Sequence, residues 1–267
     1  MEGQAVSTER YSEIDGVVSY IHQHLYDPLP LNHLASYAGY SPYHFTRIFK
    51  ERIGLPPLYY VSSLRLQKAK DLLLLTNMCI RDIGLEIGQQ SLGTFTTRFT
   101  ERVGVSPSEF RNSALQADDH LGTLHRLEHW TRQSQASSAI STITGSFEAE
   151  VPFDGVVLVG LFTKPIPEGM PLYGTLVKFT DSFCFRNVKP GVYYLMATSV
   201  SWGTRAIDFL LPHSTLRTRS KKPIIVRPHT VIPHQHVSLH PARQDDPPIL
   251  ISLPLLMSNF LSKIQPQ

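Results

Sequence analysis

Apolar residues in the first stretch of the chain recur at helical intervals. Ile14, Val17, Val18, Ile21 and Leu25 fall on one face of "SEIDGVVSYIHQHL", residues 12–25, and predict an amphipathic helix. Ser12 is the expected N-cap, and the prolines of "YDPLP" end the helix. A short helix is expected over "LNHLASYA", with Leu31, Leu34, Ala35 and Ala38 inward and Gly39 closing it in the left-handed conformation. Ser41 then suits an N-cap and Pro42 the first helical position of a helix reaching about Ile53, with Phe45, Ile48 and Phe49 buried. "LYYVSSLRLQKAKDLLLLT", residues 58–76, has neither Gly nor Pro and predicts one long helix.

That arrangement then repeats. "SPYHFTRIFKERIGLPP" at 41–57 returns as "SLGTFTTRFTERVGVSP" at 91–107, pairing Phe45 with Phe95, Phe49 with Phe99, Glu51 with Glu101, Arg52 with Arg102, Gly54 with Gly104 and Pro57 with Pro107. A short helix ("IRDIGLEI"), Gly88, a turn and the N-cap Ser91 precede the second copy as Gly39 and Ser41 precede the first. Two short helices around a tight glycine-containing turn are the signature of a helix-turn-helix, whose second helix enters the major groove. A generic helical hairpin competes for one copy, and duplication favours the functional motif. The motifs span about 31–53 and 80–104, with the joining helix over 57–75. In the first, Tyr43, Thr46, Arg47 and Lys50 point outward and are of types that suit a DNA groove. Nineteen linking residues make a rod of roughly 28 Å. Successive major-groove entries on one face of B-DNA lie about 34 Å apart, so one chain can address two of them.

Beyond residue 146 the pattern changes to short β-branched and aromatic runs broken by Gly and Pro. "GSFEAEVPF", "GVVLVGLFT", "GTLVKFT", "SFCFRNV", "GVYYLMATSV" and "KPIIVRP", with the more polar "HQHVSLH", predict about seven strands of an antiparallel sandwich. Between the halves, residues 116–146 read as a helix carrying Leu121, Leu124, Leu127 and Trp130, followed by the linker "RQSQASSA". The apolar tail "ILISLPLLMSNFLSKI" needs a partner surface, and docking on its own chain is expected ahead of a dimer contact. The expected fold class is therefore multidomain. An all-α double helix-turn-helix domain (1–115) precedes the helix and linker (116–146), an all-β antiparallel sandwich (147–246) and the tail (247–267).

Composition narrows function mainly by exclusion. The 42% hydrophobic and 18% charged content is that of an ordinary globular chain. No apolar run is long enough to cross a membrane, and the N-terminal residues lack the pattern of a secretory signal. Cys79 and Cys184 are too few for a disulfide framework or a thiolate zinc site. The net charge of +3 says little, because residues 1–115 carry 11 Lys+Arg against 11 Asp+Glu. Distribution matters more: from Ser41 to Lys70, Arg47, Lys50, Arg52, Arg65, Lys68 and Lys70 face a single acid, Glu51, and predict a local basic surface. No catalytic triad, phosphate loop or paired acid stands out. His234 and His236, near His229 and His240, have a metal-like spacing but no nearby carboxylate or Cys, and His125 and His129 are alike in this. These histidines are expected to be structural, with no metal and no cofactor.

The first half resembles the paired helix-turn-helix domain of the AraC/XylS transcription regulators. The resemblance covers about residues 12–113, through "LASYAGYSPYHFTRIFKERIGLPP", "RLQKAKDLL", "IRDIGLEIGQ" and "FTTRFTERVGVSPSEFR". It implies base-reading positions at Tyr43, Thr46 and Arg47, and in the second copy at Leu92, Gly93, Thr96 and Thr97. Arg47 is the strongest of these, since arginine is the best reader of guanine. Lys50 and Arg98 complete the expected DNA-binding set. The second copy departs from the family pattern at Gly84, where Ala is usual, and at Gln89, where an aromatic is usual. Gly93 costs a helix up to about 1 kcal/mol, and with Leu92 offers little hydrogen bonding, so the second motif is expected to supply phosphate and shape contacts. "SFCFRNVKPGVYYLMA" resembles, less specifically, a carboxypeptidase-regulatory-like sandwich. A DNA-repair methyltransferase of related build would need a reactive cysteine, which neither "NMCIRD" nor "SFCFRN" provides.

The sequence thus points to a bacterial-type, cytoplasmic, sequence-specific transcription regulator that is not an enzyme. Double-stranded operator DNA is its expected partner, with RNA polymerase and a second copy of the chain as further candidates. No residue pattern identifies a small-molecule effector. A reading of a different class makes the C-terminal half a carbohydrate- or peptide-binding module and DNA binding secondary.

Overall fold

A computed structural model describes residues 11–117, 122, 142–220, 222–228 and 231–264. The helix expected around Leu121 to Trp130, with His125 and His129, lies outside the described residues, as do the linker "RQSQASSA" and His229. The chain divides into two compact units, Met1–Arg98 with Arg243–Leu250, and Phe99–Ala242 with Ile251–Gln267.

The first unit is helical. It begins with α1 (Ser12–Gln23), α2 (Leu31–Tyr37), α3 (Pro42–Ile53), α4 (Pro57–Leu75) and α5 (Ile80–Glu86), and α6 (Leu92–Val103) starts within it. In α1, Ile14, Val17, Val18 and Ile21 are buried as their spacing requires. Ser12 is not the N-cap. The first helical bond closes one residue earlier, from the Asp15 N–H to the Tyr11 carbonyl at 2.9 Å, so Ser12 is the first helical residue.

The two helix-turn-helix turns are built alike. Gly39 has φ +71° and Gly88 φ +78°, a region that costs an L-residue a steric clash. The Gly39 N–H bonds the Ser36 carbonyl and the Tyr40 N–H that of Ala35; Gly88 and Gln89 repeat this on Leu85 and Gly84. These paired bonds satisfy helix-end carbonyls that have no partner within the helix. Behind each turn, Phe45 and Phe49 of α3 and Phe95 and Phe99 of α6 are fully buried.

Helix α4 is enclosed on more than one side, burying Tyr60, Val61, Leu64, Leu66, Ala69, Lys70 and Leu73. Part of its cover is the returning segment Arg243–Leu250. The Tyr60 hydroxyl donates to the Gln244 carbonyl at 3.0 Å, and the Lys70 ammonium to the Ile249 carbonyl at 3.0 Å.

In the second unit, the end of α6 leads to α7 (Pro107–Asn112), and a 3-10 turn (Ser113–Gln116) follows. A reciprocal cap starts α7: Ser106 accepts from the Glu109 N–H and the Glu109 carboxylate accepts from the Ser106 N–H. The strands are β1 (Ile143–Ala149), β2 (Gly155–Phe162), β3 (Tyr173–Lys178), β4 (Phe183–Phe185), β5 (Gly191–Ser201), β6 (Arg217–Arg219), β7 (Ile224–Val226) and β8 (Gln235–Leu239). One sheet has the order β4-β1-β8, and the other β3-β2-β5-β6, with β7 also paired to β5. Ile143, Phe183 and Val237 from the first sheet join Val157, Leu161 and Leu195 from the second in one apolar core. A helical domain followed by a strand-rich, largely antiparallel domain is the fold class expected.

Its details differ in three ways. The β1–β8 pair is parallel, with Gly145 opposite Gln235 and Ala149 opposite Leu239. Strand β6, "RTR", is too short and polar to carry an alternating pattern. The unit also contains two helices, α8 (Ala206–Leu210) and α9 (Leu253–Ile264). Every residue of β2 is buried, which explains why "GVVLVGLF" reads as a continuous apolar run and not an alternation. The apolar tail docks on its own chain: Leu253, Leu256, Met257 and Phe260 of α9 are buried, and the Phe260 ring occupies the space that a side chain at Gly174 of β3 would need.

Candidate nucleic-acid interface

The start of α3 is fixed by Pro42 at its first position and by the Ser41 Oγ, which accepts from the His44 N–H at 3.4 Å. With Phe45 and Phe49 anchoring one side, the opposite side presents Tyr43, 84% exposed, together with exposed Arg47 and Lys50. Thr46 is half-buried between them, its hydroxyl donating to the Pro42 carbonyl at 2.7 Å, which leaves only its lone pairs for another partner. Arg47 Nη1 donates to Glu51 Oε1 at 3.0 Å, and its Nη2 lies 3.4 Å from His44 Nδ1. An exposed i,i+4 pair of this kind is worth only about 0.3–0.5 kcal/mol, so the guanidinium can exchange partners readily.

Helix α6 repeats the geometry with different chemistry. Leu92, Gly93, Thr97 and Arg98 are exposed, Thr96 is half-buried, and Phe95 and Phe99 lie behind them. Gly93 is the second residue of the helix and not an interior one. The Ser91 Oγ accepts from the Thr94 N–H at 3.4 Å, as Ser41 does in the first motif. Arg98 Nη1 donates to Gln89 Oε1 at 3.2 Å. Beside the start of α6 lies a groove of about 460 Å³ whose polar lining includes Arg65, Gln89, Ser91, Thr94 and Arg98.

Arg65 was not among the expected DNA-binding residues. Its Nε donates to the Leu25 carbonyl at 3.0 Å and its Nη2 to that of Asp27 at 2.7 Å, and burial lowers its pKa from the ordinary arginine value. A side chain at Gly88 would come within 3.2 Å of its Nη1, so the glycine of the turn also makes room for this guanidinium. The link between these residues is spatial, across 23 sequence positions, and has no local signal.

The basic surface expected from Ser41 to Lys70 is smaller than its sequence suggests. Lys70 is fully buried. Arg52 is partly buried between Asp15 and Asp245; burial works against its charge, but the two carboxylates more than offset this and hold its pKa above the usual value. Arg65 is tied to backbone carbonyls and Lys68 is half-buried. Arg47 and Lys50 are the exposed cations of that stretch. Elsewhere Arg102 pairs with Glu168 at 2.5 Å, an ion pair within the fold.

The remaining candidates have structural partners. Cys79 caps α5, its Sγ accepting from the Asp82 N–H at 3.4 Å. The two ring nitrogens of His234 lie 3.2 Å from Thr144 Oγ1 and 3.0 Å from Ser146 Oγ. Among the described residues no three His, Cys, Asp or Glu converge as metal ligands, and no helix is long and apolar enough to cross a membrane. A second groove, of about 440 Å³, lies in the strand-rich unit and includes Phe153, Ser199, Ser201, Thr204, Arg205 and Asp208 in its lining.

A family model described as "Helix-turn-helix domain" matches residues 34–113. An uncharacterised HTH-type transcriptional regulator, YobQ of Bacillus subtilis (strain 168), is 34% identical over 96 residues, covering 36% of this chain and 40% of YobQ, so the chain spans less than half the length of that relative. The HTH-type transcriptional activator AarP of Providencia stuartii is 32% identical over 110 residues, covering 41% of this chain and 82% of AarP. A crystal structure of a transcriptional regulator from Chromobacterium violaceum, with an AraC-type DNA-binding domain, aligns at 29% identity and a TM-score of 0.38, covering 40% of this chain and 95% of that one. With a curated regulator matched over most of its length, and both helix-turn-helix motifs in place, the chain belongs to the AraC family of helix-turn-helix transcription regulators.

Proposed function

We propose that the protein is a cytoplasmic, non-enzymatic regulator that reads double-stranded operator DNA with both motifs of residues 1–115. The supporting observation is the solvent face of α3, where Tyr43, Arg47 and Lys50 project from a helix pinned by fully buried Phe45 and Phe49. In this scheme Arg47 reads a base edge, with Tyr43 and Thr46 beside it and Lys50 on a phosphate. Helix α6 has no cation at the position equivalent to Arg47, which Thr97 occupies, so Leu92, Gly93, Thr96 and Thr97 approach the groove mainly by shape. Arg98 and the groove it shares with Arg65 supply phosphate contacts. The sandwich is assigned a sensing or interaction role, supported by its hydroxyl-lined groove, and RNA polymerase and a second copy of the chain are assigned as further partners.

The test is selection of bound duplexes from random DNA by the purified full-length chain. The expected product is one asymmetric site covering two adjacent major-groove segments, bound with an affinity that falls steeply as salt rises. If no sequence is enriched, specific readout is excluded, and the strand-rich unit becomes the functional part, as a carbohydrate- or peptide-binding module.

A further inference from the structure

The repeat places an arginine at one equivalent site in both recognition helices: Arg52 and Arg102, each two residues before the left-handed glycine, Gly54 or Gly104, that follows its helix. A cation there is favoured by the negative end of the helix dipole. Both arginines are withdrawn from solvent, with side chains 23% and 11% exposed. Each meets an acid supplied from far along the chain. In the first unit, Arg52 Nη1 donates to Asp245 Oδ2 at 3.0 Å, while its Nε and Nη2 bond Asp15 at 3.0 and 3.3 Å. In the second unit, Arg102 Nε donates to Glu168 Oε2 at 2.5 Å, and Lys164 Nζ donates to the other oxygen of that carboxylate at 2.9 Å.

Backbone contacts strengthen each hold. The last turn of a helix leaves carbonyls without partners inside the helix. In α6 the Arg102 carbonyl accepts from the Gly169 N–H at 2.7 Å and the Val103 carbonyl from the Ser252 N–H at 2.9 Å. In the first unit, Gln244, next to Asp245, offers its carbonyl to Tyr60 and His22, and Ile249 offers its own to Lys70. Asp245 therefore belongs to a segment fastened independently of Arg52, and the segment of Glu168 is held both by the Arg102 backbone and by the bond from the Ile251 N–H to the Pro167 carbonyl at 3.1 Å. Each acid can fix the end of a recognition helix, and with it the direction in which the outward side chains point.

We propose that Asp245 and Glu168 are positioning residues for DNA reading, Asp245 orienting α3 through Arg52 and Glu168 orienting α6 through Arg102. The segments after residue 160 are in that sense part of the reading apparatus, although neither acid would touch DNA. This inference rests on the DNA-reading function proposed above.

The experiment uses the full-length chain and the site selected by the wild type. Binding is measured by fluorescence anisotropy to that site and to versions scrambled in one half or the other. Asp245→Asn should lose about tenfold of its discrimination in the half read by the first motif and keep it in the second, and Glu168→Gln should do the reverse. Asp245→Glu, which keeps the charge, should recover part of the loss. Equal losses in both halves would mean general destabilisation, and unchanged discrimination in both halves would mean no positioning at all; either result overturns the inference. Should Glu168→Gln fail to fold, as judged by circular dichroism, Glu168→Asp carries the same test with the charge retained and the reach shortened. A wild-type chain that selects no two-part site would refute the DNA-reading function itself, a result distinct from variants that bind normally.

Discussion

Gly104 closes the second recognition helix with φ +94°, its N–H bonded to the Thr100 carbonyl at 2.9 Å. Alanine there meets two penalties that can be separated. The left-handed backbone costs an L-residue about 1–2 kcal/mol. The new methyl would also lie 2.7 Å from Leu255 Cδ2 of α9, well inside contact distance. Leu255 presents the tip of a flexible side chain, so relief costs about 1 kcal/mol, the low end of overpacking. Gly104→Ala should therefore destabilise by about 2–3 kcal/mol, whereas Gly39→Ala, with φ +71° and no atom within 4 Å of the new methyl, should show the backbone cost alone. Urea unfolding followed by far-ultraviolet circular dichroism would measure both. The decisive comparison is a double-mutant cycle with Leu255→Ala, in which the penalty of Gly104→Ala should shrink by about 1 kcal/mol once the obstructing side chain is gone. Coupling near zero would refute the packing of Leu255 over this glycine, and with it the docking of the C-terminal helix at the end of α6.

Three further expectations concern separate parts of the molecule. Arg47→Ala should leave stability within about 0.5 kcal/mol, since its Glu51 pair is exposed, while discrimination at one base position falls by about 1–3 kcal/mol; equal binding of cognate and scrambled DNA by variant and wild type would remove Arg47 from base reading. Gly93→Ala should raise stability by about 0.4–1 kcal/mol, because the new methyl meets nothing closer than Ser91 Oγ at 3.8 Å, and any loss of stability on urea unfolding would contradict this. Although His22 is exposed, desolvation of its ring beside Tyr60 and Gln244 lowers its pKa, against the opposing bond to the Gln244 carbonyl, so the folded chain takes up this proton at lower pH than the unfolded chain. The stability so conferred is complete above the ordinary histidine value of 6.5 and is lost as pH falls from there through the lowered folded value. The midpoint of urea unfolding should accordingly drop on acidification, and His22→Gln should reduce the drop; an equal drop in the variant would refute the assignment.

The helical half was legible because its signals are local. Spacing alone placed Phe45 and Phe49 inside, Gly39 in a left-handed cap and Gly88 at the repeat-equivalent turn, since a turn of this kind is decided within about six residues. The main strands were legible for the same reason, each being a run of β-branched or aromatic residues. What escaped was long-range. The parallel pairing of β1 with β8 joins residues about 90 positions apart. Asp245, the second acid on Arg52 after Asp15, lies 193 positions from it, Glu168 lies 66 from Arg102, and the carbonyl that receives buried Lys70 lies 179 away. Helix α8, of five residues, is too short to show a period. One usable clue did exist. Arg52 and Arg102 recur at equivalent places behind Glu51 and Glu101, although a recurring cation could serve DNA or the fold equally well until its partners are seen.

Those partners decide how a domain with balanced charge can still address a polyanion. The net charge of residues 1–115 is irrelevant if the fold sorts its cations by how firmly each is held. Removing one partner from a buried pair such as Arg102–Glu168, with side chains 11% and 6% exposed, costs about 3–5 kcal/mol, more than a phosphate contact can return. Arg52, shared by two carboxylates and 23% exposed, is held nearly as well. Arg47, at 49% exposed and paired with Glu51 at 39%, gives up only about 0.3–0.5 kcal/mol when it turns away. A bidentate guanine contact offers about 1–3 kcal/mol of discrimination, so it outbids Glu51 for Arg47 but cannot extract Arg102. On the proposed reading the same residue type serves as reader at Arg47 and as fastener at Arg102, and the difference lies in solvent exposure. The second motif carries Thr97 where the first has Arg47, and keeps only the fastener at its repeat-equivalent site. On the proposed DNA reading the two motifs divide the work, the first selecting sequence through Arg47 and the second reading its half mainly by shape while Arg98 holds a phosphate.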